Sequence, residues 1–188
     1  MTCAVSMRAL AGAFLLLATM AASSVASAQT GILMTVQSTR GQQFPGESVR
    51  QSNSPQIPVK AWSYSVKVPV DERTGMLAGQ RKYAPVSFEK PIGAASPNFL
   101  RAMLGNEPLI ITVDLVGMSP QGTPALLHRV TFNHARIISV ARNGTSSVDS
   151  RSTSQPEMTE TITFDFRQVE FDPGRGSATI MDELQTEQ

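Results

Sequence analysis

The sequence predicts a mostly β protein, a compact small barrel or closed sandwich carrying one short helix. Three observations lead there. Several segments alternate apolar and polar residues with a period of two, the mark of half-buried strands. Two of the longest change phase partway, as at Val130, Phe132, Ala135, Ile137 and at Ile162, Phe164, Phe166, Val169, Phe171. A slip of parity inside a strand is what a β-bulge produces, and bulges bend sheets towards closure. Only one stretch, 97–104, carries helix signals at both ends.

In chain order, residues 1–28 read as a secretory address. Arg8 is followed by an apolar run from Ala9 to Ala22, and Ala26-Ser27-Ala28 is the small-residue pattern of a cleavage site, placing the cut between Ala28 and Gln29. Ser23, Ser24 and Ser27 dilute the far end, and the run falls short of the roughly 20 apolar residues a membrane span needs, so no stable membrane anchor is expected. Cleavage would remove Cys3, the only cysteine, and Arg8. The mature chain would then hold fifteen charges of each sign and no thiol. Disulfides and thiolate metal sites are excluded, and a zero net charge removes the bulk attraction that nucleic acid binding needs.

Gly31 to Val36 is a short apolar run, and 37–56 is polar and marked by glycine and proline, hence loop. Trp62, Tyr64, Val66 and Val68 share one parity and predict a half-buried strand; 71–82 is a polar connection marked by glycine; Ala84, Val86 and Phe88 alternate again. Ser96 as cap, Pro97 in the first helical position and Gly105 at the end bound the helix, whose apolar face is read as Phe99, Leu100, Met103 and Leu104. Strands resume over 109–116, 126–140 and 158–171, with a Ser/Thr-rich loop over 143–155. After Pro173 the chain is a polar, loose tail with a weak turn of helix over 180–184. The division expected is therefore 1–28 signal, 29–172 barrel domain and 173–188 flexible tail.

The chemical motifs are sparse. There is no phosphate-binding glycine loop, dinucleotide fingerprint or nucleophile elbow. His128 and His134 lie six residues apart in one strand region, about 20 Å at about 3.3 Å per residue, too far to share an ion. Glu160, Asp165, Glu170 and Asp172 read as the wet side of a strand, and the methionines show no clustered spacing for a soft metal. Neither catalysis nor a cofactor is expected.

A string of motifs nonetheless resembles one family. Ile32-Leu33-Met34 is followed by Gly46-Glu47-Ser48 and Ile57-Pro58-Val59-Lys60-Ala61-Trp62-Ser63-Tyr64-Ser65-Val66. Then come Gly79-Gln80-Arg81-Lys82-Tyr83-Ala84-Pro85-Val86-Ser87-Phe88-Glu89-Lys90 and Ala95-Ser96-Pro97. The closing strands are Val130-Thr131-Phe132-Asn133-His134-Ala135-Arg136-Ile137 and Ile162-Thr163-Phe164-Asp165-Phe166-Arg167-Gln168-Val169-Glu170-Phe171. Across 31–171 this resembles the Hcp family, the haemolysin-coregulated proteins that form the tube of bacterial type VI secretion systems. Gly93 departs from it, standing where the family usually has an acidic residue, and so does the N-terminal signal.

The resemblance implies a β-barrel with one helix, self-association as a homohexameric ring, stacking of rings into a tube, and type VI secretion components or cargo as partners. It also implies that the 71–82 loop seats one ring on the next, which singles out Asp71, Glu72, Arg73, Gly79, Gln80 and Arg81. Ring closure would cover the strand edges that a small barrel exposes. Three functional classes stay open: a structural tube or carrier, a periplasmic or secreted binding protein working outside any tube, and an enzyme. The signal sequence makes a secreted or periplasmic location the expectation.

Overall fold

The computed structural model describes residues 31–47, 55–145, 157–174 and 178–184. The signal sequence and its cleavage point at Ala28 and Gln29 lie outside the described residues, as does most of the Ser/Thr-rich loop. Eleven strands and one helix follow in order: β1 (Gly31–Ser38), β2 (Ile57–Val59), β3 (Ala61–Ser63), β4 (Val66–Lys67), β5 (Lys82–Tyr83), β6 (Val86–Pro91), α1 (Ser96–Leu104), β7 (Leu109–Met118), β8 (Pro124–Thr145), β9 (Glu157–Asp165), β10 (Gln168–Asp172) and β11 (Ile180–Glu183) among the described residues.

The main sheet runs β2-β1-β7-β8-β9-β6-β3, all neighbours antiparallel, with β10 branching from β8 and β11 lying on β10. The path does not return on itself as one ladder. Its two ends, β2 and β3, are chain neighbours on either side of Lys60, whose N–H donates to the Glu89 carbonyl at 2.8 Å. One bent segment therefore serves both ends of the path and wraps the sheet around its core. The mostly β fold with a single helix stands as the sequence predicts.

β8 makes the bend. Its first half pairs with β7 and β10, its second half with β9. The register jumps between the Phe132 and Ala135 pairings, and His134 there takes a left-handed backbone, φ 53°. The second parity slip is a different object from the bulge expected. The strand is interrupted at Phe166 and Arg167 between β9 and β10, where this segment turns the same corner as its partner, and Arg167 N–H reaches the Asn133 carbonyl at 3.3 Å.

Inside, Met34 and Val36 of β1, Ile111 of β7, Phe132 of β8 and Ile162 and Phe164 of β9 are fully buried. Helix α1 closes one opening with Phe99, whose ring meets Phe44 at 5.2 Å and Phe88 at 5.8 Å, both edge-on. Its buried face is Ser96, Phe99 and Ala102, whereas Leu100 is half-buried and Leu104 exposed. Ala95 occupies the N-cap without a side-chain cap, and Ser96 is the first helical residue. At the other end Gly105 is right-handed and Asn106 supplies the left-handed turn, φ 48°. Asn106 and Glu107 N–H donate back to the Met103 and Ala102 carbonyls, which satisfies the open end of the helix.

Two charges are inside, one of them Glu160, which the sequence placed on the wet side of its strand. Lys90 and Glu160 are fully buried and paired at 3.1 Å, with Glu47 at 2.9 Å from the same ammonium and Ser96 Oγ donating to Glu160 at 2.6 Å. Lys90 shares the parity of Val86 and Phe88, and Glu160 that of Ile162 and Phe164, so the alternation itself pointed inward. Gly93 completes the arrangement: a Cβ there would sit 2.5 Å from the Glu47 carboxyl carbon. The Glu47 carboxylate fills the space that a side chain at 93 would take.

Candidate functional site

After Trp62 and Tyr64, whose rings pack inwards, the chain leaves the barrel. Tyr64 contacts the rings of Phe132 at 5.9 Å and Phe171 at 5.6 Å, so its parity is spent on the core. Val66, Val68 and Val70 then continue that parity into solvent and are exposed, where the sequence suggested a half-buried strand running on to Val68. The result is a hairpin arm. β4 and β5 pair Val66 with Tyr83 and Lys67 with Lys82, and a further bridge joins Val70 to Leu77.

The tip is shaped by Asp71. Its Oδ1 accepts from the backbone N–H of Arg73 at 2.8 Å and Thr74 at 2.9 Å, and its carbonyl accepts from Gly75 at 2.8 Å. Those backbone donors, Thr74 first, hold the carboxyl below the ordinary aspartate range. On the return limb Gly79 has φ 94°, a conformation that a side chain would strain. Met76 and Leu77 between them are 70% and 75% exposed. The loop is thus not simply polar: it carries Val66, Val68, Val70, Met76 and Leu77 outward beside Lys67, Arg73 and Lys82.

The sequence-derived residues fall into two groups. Asp71, Glu72 and Arg73 form the tip, while Gly79, Gln80 and Arg81 lie on the return limb and line a cavity of about 320 Å³ together with Tyr83, Asp182, Glu183 and Leu184. The far wall is β11, a strand where the sequence suggested at most a turn of helix. Asp182 of β11 accepts a hydrogen bond from the Tyr83 hydroxyl and an ion pair from Arg81 at 3.0 Å. Burial, then the bond to Asp182, pushes the Tyr83 phenol far above its ordinary value, and burial raises Tyr64 too. Tyr83 and Asp182 stand 99 residues apart in the chain, and no motif or spacing links them.

His128 lies flat against Phe171 at 6.3 Å, and His134 is an exposed corner residue. Among the described residues no three His, Cys, Asp or Glu side chains converge to hold a metal ion, and no helix is long and apolar enough to cross a membrane.

A sequence model of the family described as type VI secretion system effector, Hcp, matches residues 33–172. No curated protein matches significantly. Among solved structures, the crystal structure of an Hcp protein superposes with a TM-score of 0.74 at 16% identity, over 85% of this chain and 100% of that one. The Hcp1 protein of the E. coli EAEC 042 pathovar gives 0.69 at 17% identity, over 82% and 99%. The secreted protein Hcp3 from Pseudomonas aeruginosa gives 0.64 at 17%, over 84% and 100%. At such identities the likeness speaks for the fold, while the family match runs from within β1 to the end of β10 and takes in the arm, the helix and the bent strands. The chain belongs to the Hcp family of type VI secretion system effectors.

Proposed function

We propose that this protein is a structural, non-enzymatic unit that closes into a homohexameric ring and stacks through its arm into a tube or carrier for type VI secretion. The observation that carries the reading is the arm, a projecting hairpin that leaves five large apolar side chains exposed beside several charges. Apolar surface of this kind on a polar rim is characteristic of contacts between proteins. Asp71, Glu72 and Arg73 at the tip and Gly79, Gln80 and Arg81 on the return limb form the contact between rings, and pairing and packing of the barrel closes each ring. Secretion components and cargo are the further partners, and no cofactor takes part.

The test is replacement of residues 72–81 by a short Gly-Ser linker. Sedimentation velocity and negative-stain images should show a folded protein and single rings without stacks. Monomers would assign the arm to ring closure, and unchanged stacks would remove it from both contacts.

One observation favours a second reading, a secreted or periplasmic Hcp-like binding protein outside any tube. It is the apolar run from Ala9 to Ala22 followed by Ala26-Ser27-Ala28, which marks a signal over 1–28 ahead of the barrel domain over 29–172. Mass spectrometry of the exported protein should find Gln29 at its N-terminus. Export that continues in cells lacking the secretion sheath would favour this reading over the tube.

A further inference from the structure

The arm has little to hold it up. β4 and β5 share two register pairs and the arm adds one isolated bridge, whereas a lone two-stranded hairpin is marginal in water. Its base is fastened by the Tyr83 ring against Phe166 at 5.6 Å and Tyr64 at 6.1 Å, and by the Ala84 N–H to the Ser65 carbonyl at 3.0 Å. These contacts hold the base of the arm where it leaves the barrel.

The link from outside is β11. This strand has weak support too: four register pairs with β10, the Leu184 N–H to the Arg167 carbonyl at 2.8 Å, and exposed Ile180 and Met181. Asp182, with a side chain only 13% exposed, joins the two. Its carboxylate takes the Tyr83 hydroxyl and the Arg81 guanidinium, one group on β5 and one beside it. It lies past residue 172, where the family match ends.

We propose that Asp182 is a positioning residue: carried on the last strand, it sets the direction of the arm, so that docking of β11 on β10 and ordering of the arm occur together. Each element is marginal alone, and the shared carboxylate makes them one cooperative unit, separate from the stability of the barrel. A pre-set arm loses less freedom when it meets a partner, so the clamp favours whatever contact the arm makes.

Amide hydrogen exchange of the purified protein, read peptide by peptide, tests this. Asp182→Ala should speed exchange across 66–83 by about tenfold or more while peptides of β1 and β7 keep wild-type protection. The reversed pair Arg81→Asp with Asp182→Arg should restore protection, because the Tyr83 hydroxyl can accept from arginine as well as donate to aspartate. The proposal is overturned by an arm that exchanges at the unprotected rate in the wild type, by an Asp182→Ala arm no looser than before, by equal loosening of β1 and β7, or by a reversed pair that restores nothing. The benefit to a contact rests on the arm's proposed role in stacking, and the clamp and that role are tested separately. If the arm loosens in Asp182→Ala while rings of the 72–81 linker variant stack unchanged, the clamp stands and the stacking role falls.

Discussion

Lys90 is a buried cation with four oxygen neighbours: the Glu160 and Glu47 carboxylates, the Pro91 carbonyl at 2.6 Å and Ser96 Oγ at 3.4 Å. Removing one member of such a group leaves the others buried and uncompensated, which costs more than the intact group contributes. Lys90→Met should therefore lower stability by about 3–5 kcal/mol in urea unfolding, because the Glu160 and Glu47 carboxylates are left without their cation. Ser96 belongs to this group, bonding Glu160 and accepting from Gly93 N–H at 2.9 Å, rather than to a helix cap. Tyr83 and Tyr64 supply a second expectation at this scale. Folding raises both phenols above the ordinary value of 10.0, so the folded state holds protons that the unfolded chain gives up first. The stability they contribute is present below about pH 10 and lost as the pH climbs through the raised values. Tyr83→Phe should flatten the decline in thermal stability between about pH 10 and pH 12 relative to the wild type. An equally steep decline in the variant would place its origin elsewhere.

At the scale of elements, α1 shows which part of a pattern can be read locally. Nine residues with apolar side chains at 99, 100, 103 and 104 offer more than one stripe, and the spacing does not choose between them. The barrel chooses: Phe99 meets Phe44 and Phe88, Ala102 comes close, and Leu104 is left in solvent. Phe99→Ala should cost about 3–5 kcal/mol, and Leu100→Ala less than about 2 kcal/mol, as measured by thermal unfolding. The reverse order would mean that the helix docks by another face. β8 illustrates the same division. Its first parity slip was visible in the residues and marks the corner at His134, but the second slip became a break between β9 and β10. Both segments turn together there, and a change of parity does not distinguish an extra residue in a ladder from a ladder that stops.

Across the whole molecule, β11 and the arm form a surface layer over a barrel whose core lies elsewhere. Deleting residues 178–188 should free the outer edge of β10 and release the arm. Unpaired strand edges template contacts with other chains, so the truncated protein should aggregate more readily in static light scattering while near-native far-ultraviolet circular dichroism is retained. Loss of the β signal as well would place β11 in the folding core. The mostly β class, the helix over 97–104 and the family motifs over 31–171 were determined by the sequence alone, because alternation, a helix-starting proline and turn residues act within a few positions of one another. Glu160 was read as facing water because of its charge, although its parity matches Ile162, and the structure buries it against Lys90. What only the tertiary structure decided was contact between distant segments. Val66 and Val68 carry the parity of a buried strand, yet they lie in solvent because Tyr64 ends the inward packing. Asp182 looks like one more acid in a polar tail until β10 gives it an edge to pair along and brings it to Tyr83. Periodicity records which way a side chain points, while partnership depends on which strand the chain returns to, and that is set by the packing of the whole core.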